Sequence, residues 1–385
     1  MNTGVRTRWC FLGCMLVTAW ITTGMTVAKA GKPEQPTIPA QPGEAVIARV
    51  ASHQTWRIWG DGQHNGFPGI ARFGDFFYVT FRRARQHNEE NDSTIVVIRS
   101  QTDDLKKWEK VAEFRRDYDS RDPLLVALNN SLQVVWHSKE DWFSQSTDGT
   151  TWSEPKMLDV EFPEPPPGSK ARFSSKRRWL FRIRKGPDGA YYSLARCGIL
   201  EKDSPGPFGL ILYRSTDGVH FKALHTFGEG ASRAISGGWG HEADLAWRAD
   251  GTMVAAIREG QGFIAWAAPP YRAWSAYKTG VFNFGGPALH TTPEGGMLLA
   301  ARDEAENQAG PQKLMVWSVT PAGLANPVQI PCEYDGAYSS FADAPDGGVL
   351  LCYYSSHEPI EKPGASTTPS NIYLAHLKIE HEQTK

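Results

Sequence analysis

The feature that most restricts how this 385-residue chain can fold is a short turn pattern that returns along it. Ser146-Thr147-Asp148-Gly149-Thr150-Thr151-Trp152 and Ser215-Thr216-Asp217-Gly218-Val219-His220-Phe221 both read S-x-D-G-x-x-aromatic. The segment from Ser100 through Asp103 to Trp108 is the same pattern stretched by two residues. Each residue type serves a tight turn between strands. The aspartate accepts backbone N–H groups, the glycine adopts positive φ, the serine ties the turn down, and the aromatic ring packs beneath it.

Between these turns runs a second repeated element, a β-rich stretch with a central turn. Its copies span 67–81, 124–136 (turning at Asn129-Asn130), 180–196 (Asp188-Gly189), 243–258 (Asp250-Gly251), 287–302 (Glu294-Gly295-Gly296) and 339–354 (Asp346-Gly347). Strand length and turn chemistry make each a hairpin. The copies recur roughly every 45–60 residues, the spacing of a four-stranded blade, and no stretch has helical periodicity. The expectation is an all-β, single-domain, six-bladed β-propeller over 46–380, with blades near 46–115, 116–177, 178–235, 236–283, 284–333 and 334–380. Pairing the last strand, 372–379, with an early strand near 46–59 would close the ring and remove an exposed sheet edge.

The ends read differently. Arg6 and Arg8 precede an apolar run to Val27, and Ala28-Lys29-Ala30 is a small-x-small cleavage pattern, so 1–30 is expected to be a signal peptide cut near Ala30. That implies a secreted or periplasmic protein. Residues 31–45 hold four prolines and read as a flexible leader, and 381–385 as a tail. No later segment approaches the ~20 apolar residues of a membrane span. Loss of Arg6, Arg8 and Lys29 on cleavage takes the formal net charge from −1 to −4, which gives no reason to expect nucleic acid. Cys197, Cys332 and Cys352 remain after cleavage, too few for a disulfide framework, and are expected to be small buried residues, with room for one pair. Oligomeric state is open.

In a propeller, the start of each inner strand and the end of the next strand meet at one mouth of the central channel. The starts offer His64, Asn65, Arg121, Asp122, His241, Glu242 and Tyr338. The ends offer Arg82, His87, Arg196, Arg258, Arg302, Asp303, Ser355, His357 and Glu358. Arginines dominate, and a guanidinium fork matches a carboxylate, so the pocket is expected to hold an anionic ligand. Some of these arginines would instead pair with Asp122, Glu242, Asp303 or Glu358.

These residues resemble the sialidases (neuraminidases). The turns are similar to that family's Asp-box (BNR) repeats. The run from His241-Glu242 through Asp250-Gly251 to Arg258 resembles the sialidase blade carrying Glu, then a D-G turn, then Arg. Asp335-Gly336-Ala337-Tyr338 resembles the late blade with the nucleophilic tyrosine. The resemblance implies an exo-acting glycoside hydrolase that needs no cofactor or metal and releases a terminal sialic acid or related acidic sugar. Tyr338 would be the nucleophile and Glu242 its base. Arg258 and Arg302, with Arg82, Arg121, His241 and His357 around them, would hold the substrate. The acid protonating the leaving oxygen is expected on the loop 87–92, as Asp92, with Glu90 in reserve. The family's first carboxylate-binding arginine falls at Gly66 of Asn65-Gly66-Phe67-Pro68, where Arg82 or Arg121 would have to substitute. Two other readings stand beside this one: a propeller glycosidase for another acidic sugar of uronic-acid type, working with carboxylate pairs, and a non-catalytic carbohydrate-binding propeller.

Overall fold

The computed structural model describes residues 46–88, 91–161, 172–201, 204–224, 241–258, 260–304, 312–333, 335–358 and 368–383. The expected signal peptide and leader, and the reserve acid Glu90, lie outside them. Among the described residues no helix is long and apolar enough to cross a membrane.

The strands form six sheets arranged as the blades of a β-propeller. The first blade is His64–Phe73, Phe76–Ala84, Thr94–Gln101 and Glu109–Arg115, and the second begins Arg121–Ala127, Leu132–Ser138, Glu140–Ser146. The fourth is Ala243–Trp247, Met253–Ile257, Phe263–Ala267 and Ser275–Lys278, and the fifth is Ala288–Thr291, Met297–Asp303, Lys313–Thr320 and Gly323–Ile330. In the sixth, Ser339–Asp343, Val349–Ser355 and Asn371–Gln383 are joined by Val46–Trp59 from the other end of the chain. That pairing runs antiparallel from Val46–Gln383 to Trp59–Ile372, so the ring closes as expected. The closing strand runs on to Gln383, so the tail expected from 381 is shorter than the sequence suggested.

The third blade departs from the expected boundaries. Arg172–Trp179 pairs with Tyr191–Glu201, and Asp159–Val160 runs parallel to His220–Phe221. Both pieces were expected in blade two. Backbone hydrogen bonds place the second: the N–H groups of Asp159 and Glu161 donate to the carbonyls of Val219 and Phe221, while Leu158 and Val160 fill the apolar wedge between blades two and three.

The core is not one mass. Six apolar clusters each fill the wedge between two neighbouring blades, for example Tyr78, Val97 and Val134 between blades one and two, and Leu245, Ala255 and Leu212 between blades three and four. Aromatic residues suit these wedges because each buries a large area.

The two clean turns have the chemistry read from the sequence. Asp148 Oδ1 accepts from the N–H groups of Thr150 and Thr151, each at 2.7 Å, and Asp217 Oδ1 from those of Val219 and His220. Gly149 and Gly218 sit at φ of 74° and 78°. The stretched copy is tied differently, with Ser100 Oγ donating to the Asp104 carbonyl.

At the mouth, the inner strands share a kink. Phe67, Asp122, Gly286 and Ala337 all have positive φ, at 57°, 45°, 57° and 74°, and each stands just before Pro68, Pro123, Pro287 or Tyr338. In blades one and two the ladder skips at this point, between Gly66 and Gly69 and between Arg121 and Leu124. Such bulges re-aim side chains at sheet rims. Here they mark where blades one, two, five and six meet the mouth.

Candidate active site

A cavity of about 530 Å³ opens at that mouth, within the range for small-molecule sites. It is lined by Tyr338, Glu242, Arg258, Arg302, Arg121, His241, Asp122, His87 and Arg196, all expected at the mouth from the sequence, and also by Asn283. Phe67, Trp179 and Phe282 supply aromatic wall. A second cavity of about 440 Å³, lined by Trp56, Leu105, Asp103, Asp104, Lys106, Asp346 and His376, has no arginine in its lining; His376 there is paired with Asp346.

Tyr338 lies at the centre. Its hydroxyl donates to Glu242 Oε1 at 2.8 Å and accepts from Arg258 Nη1 at 2.9 Å. Arg258 Nη1 also reaches Glu242 Oε1 at 2.7 Å, and Nη2 donates to Asn283 Oδ1. The second oxygen of Glu242 accepts the backbone N–H of Gly286 at 2.8 Å. Arg302 stands over the Tyr338 ring, 5.0 Å from its centroid, and donates to the Gly336 carbonyl at 2.7 Å, while its buried Nε has no hydrogen-bond partner.

Burial sets the protonation states. It would raise Glu242, but the Arg258 charge, the Gly286 N–H and the Tyr338 hydroxyl outweigh it and hold the carboxyl below its ordinary range. Burial, and then the Glu242 charge, push the Tyr338 phenol well above its ordinary range, against the pull of Arg258 and Arg302. Tyr338 is therefore a neutral phenol hydrogen-bonded to an ionised carboxylate, the arrangement in which an acceptor can take the proton as the oxygen attacks. Asp122, also on the cavity wall, is pushed up to about 6, mainly by burial and against the neighbouring Arg121.

Other expected residues are placed elsewhere. Asp92 is on the surface, over half exposed, and pairs with Arg115 at 2.9 Å; it does not line the cavity. A carboxylate between strands is drawn to the nearest cation, and here that cation faces solvent. Arg82 is fully buried and holds Asp119 and the Gln86 carbonyl, so it braces the loop rather than facing a ligand. His357 packs on Tyr373 with ring centroids 4.5 Å apart and bonds Ser355 Oγ, away from the cavity lining. Arg121 does reach the cavity, but three of its contacts go to Asp119, the His87 carbonyl and Asn88. His241 lies beside Arg196, 3.4 Å from its Nη1, and burial and that charge lower its pKa. Cys332 and Cys352 are buried free thiols.

A cluster adjoins the cavity whose members the sequence offered separately, His64 and His87 at the blade mouth and Asp335 before Tyr338, with nothing to show that they meet. Asp335 Oδ2 lies 2.7 Å from both His64 Nε2 and His87 Nδ1, and Asp335 Oδ1 accepts from Tyr354 Oη at 2.9 Å. Burial would raise Asp335, but the two imidazoles hold it far below the usual carboxylate range. An ionised Asp335 only accepts, so both imidazoles donate to it. The three donor atoms lie within 4.8 Å of one another. The 2.7 Å separations are hydrogen-bond lengths, though, whereas ligands of a tetrahedral ion stand roughly 3.3–3.5 Å apart. The group is a hydrogen-bonded cluster with one ring, His87, on the cavity wall, while the buried Nδ1 of His64 has no hydrogen-bond partner. His64 also occupies the space beside Gly66: a Cβ added there would meet the His64 ring at 2.9 Å and Tyr354 at 3.4 Å.

No protein-family model and no curated protein sequence matches the chain. Solved structures do resemble it. A Dyadobacter fermentans DSM 18053 protein of unknown function superposes with a TM-score of 0.65 at 17% identity, over 86% of this chain and 99% of that one. The phage phi92 endosialidase superposes with a TM-score of 0.57 at 8% identity, over 86% of this chain and 70% of its own. The Trypanosoma rangeli sialidase in complex with the inhibitor DANA gives 0.55 at 12% identity, over 82% of this chain and 55% of its own, so the present chain spans about half of that protein. At such identities the likeness is one of architecture, and the chain is a six-bladed β-propeller with the sialidase fold.

Proposed function

We propose that the protein is an exo-acting glycoside hydrolase that removes a terminal acidic sugar, sialic acid or a relative, through a Tyr338 glycosyl intermediate. The observation that carries this reading is the 2.8 Å bond from the Tyr338 hydroxyl to an ionised, buried Glu242 on the wall of a cavity rich in arginine. Tyr338 Oη attacks the anomeric carbon as its proton passes to Glu242. Arg258 and Arg302 hold their charge beside the developing phenolate and toward the sugar's carboxylate. Water then releases the sugar and Tyr338 recovers its proton. Gly66, with His64 packed beside it, takes the place of one arginine of the sialidase cradle, and this favours acidic sugars broader than sialic acid, uronic acids included. The N-terminal export pattern supports action outside the cytoplasm on glycans met there.

The test is release of 4-methylumbelliferone from its α-sialoside and from its uronides by the chain beginning at Gly31, with Tyr338→Phe and Glu242→Gln alongside. A loss of roughly 10³-fold or more in kcat for Tyr338→Phe is expected. Turnover unchanged by that substitution would sink the tyrosine mechanism. Binding of acidic glycans with no turnover of any of these substrates would select the non-catalytic reading.

A further inference from the structure

We propose that His87, oriented by Asp335, is the general acid and base of this site, in the role for which the sequence suggested Asp92. The inference rests on the Tyr338 reading and adds the residue that protonates the departing oxygen. Four observations carry it. His87 lines the cavity that holds Tyr338. Its Nδ1 is committed to Asp335, which leaves Nε2 as the nitrogen available to a ligand. Asp335 is itself pinned by His64 and Tyr354, so the imidazole's orientation and tautomer are set by groups behind it. The backbone of the same residue is held as well, because Arg121 Nη2 donates to the His87 carbonyl at 2.8 Å. A hydrogen bond from the far nitrogen to a carboxylate is the usual way an imidazole is positioned and its tautomer fixed.

Asp122 is the competing acid on the cavity wall. Its position argues against it. An exo-acting enzyme buries the terminal sugar and lets the leaving group project toward solvent. Asp122 is 3% exposed, whereas the His87 side chain is 34% exposed, at the open side. His87 and Tyr338 also both pack edge-to-face with one ring, that of Phe67, with centroids 5.2 Å and 5.1 Å from it, so the two belong to one wall of the cavity.

The steps balance. As Tyr338 Oη bonds to the anomeric carbon and gives its proton to Glu242, the glycosidic C–O bond breaks and its electron pair stays on the leaving oxygen, which takes the Nε2 proton of the His87 imidazolium. In the second half, neutral Nε2 removes a proton from water as the water oxygen bonds to the anomeric carbon. The C–Oη bond breaks and Tyr338 recovers its proton from Glu242.

A fluoride leaving group needs little protonation, so it separates the acid from the nucleophile. Native protein, His87→Ala, His87→Gln, Asp335→Asn and Asp122→Asn would be treated with 2,3-difluorosialic acid and with 2-deoxy-2-fluoro-glucuronosyl fluoride, and Tyr338 examined by peptide mass. Hydrolysis of the 4-nitrophenyl and methyl glycosides of the same sugars would be measured in parallel. The expected result is native-level labelling of Tyr338 in both His87 variants. In those variants kcat/KM should fall at least 100-fold on the methyl glycoside and less than 10-fold on the nitrophenyl one, while kcat on the nitrophenyl glycoside falls because the second step has lost its base. Asp335→Asn should show the same selectivity more weakly. A His87 loss equal on both leaving groups, a selective loss in Asp122→Asn instead, or His87 variants that hydrolyse normally or fail to label would overturn the His87 assignment and leave Tyr338 standing. No label on Tyr338 of the native protein would overturn the tyrosine reading, and this proposal with it.

Discussion

Tyr338 makes its hydrogen bonds to Glu242 and Arg258 because a glycine stands beside it. Gly286 is at φ 57°, and a Cβ there would lie 2.5 Å from Tyr338 Cγ. Gly286→Ala should push the ring off Glu242 and lower kcat by about 100-fold, since misplacements near 1 Å cost about that much. Steady-state kinetics on any turned-over glycoside would check it, and an unchanged kcat would show that the ring has slack. Asp122 makes a second residue-scale prediction. Its folded pKa of about 6 lies above the ordinary ~3.9, so its contribution to stability is full below about pH 4 and is lost as pH rises through about 6. Asp122→Asn should therefore stabilise the protein by about 2–3 kcal/mol at pH 7 and by little at pH 4. Urea titrations at the two pH values would read this, and a gain that is the same at both would contradict it.

At the scale of elements, the turns and kinks differ in what they tolerate. Gly149 and Gly189 have nearly equal φ, 74° and 77°. A Cβ at Gly149 would run into the Tyr78 hydroxyl at 1.8 Å, while one at Gly189 would meet nothing within 4 Å. Gly189→Ala should cost about 1 kcal/mol, the backbone penalty alone. Gly149→Ala adds a collision between blades one and two and should cost roughly 2 kcal/mol more. Thermal unfolding of the pair would separate the two terms, and equal costs would mean that Tyr78 swings away freely.

The whole ring depends on one pairing between its ends. Val46–Trp59 covers the outer edge of Asn371–Gln383, and Ala48 and Val50 join the apolar wedge between blades five and six. A chain beginning at Gly60 should expose a long strand edge and lose that packing. The expected outcome is aggregation or a broad, early thermal transition compared with a chain beginning at Gly31, read by size-exclusion chromatography and calorimetry. A sharp transition within a few degrees would show that closure adds little.

The local chemistry was legible in the sequence. Turn residues, strand alternation and their spacing are short-range properties, so six hairpins, the closing strand and the Glu242–Arg258–Tyr338 order could be read before any coordinates. The blade boundary near 172 could not, because two strand segments choose their sheet by hydrogen bonds to residues distant in the chain. The acid could not be read either. Asp92 and His87 share one loop, and composition favours the carboxylate, but only the packed ring shows that Asp92 turns to Arg115 at the surface while His87 meets Asp335, distant by 248 positions in the chain. What the sequence alone determined is therefore the repeat and the residue types at each blade mouth. Which of those residues face one another was decided by the tertiary structure, since charge pairing and burial across the channel join positions that no local pattern relates.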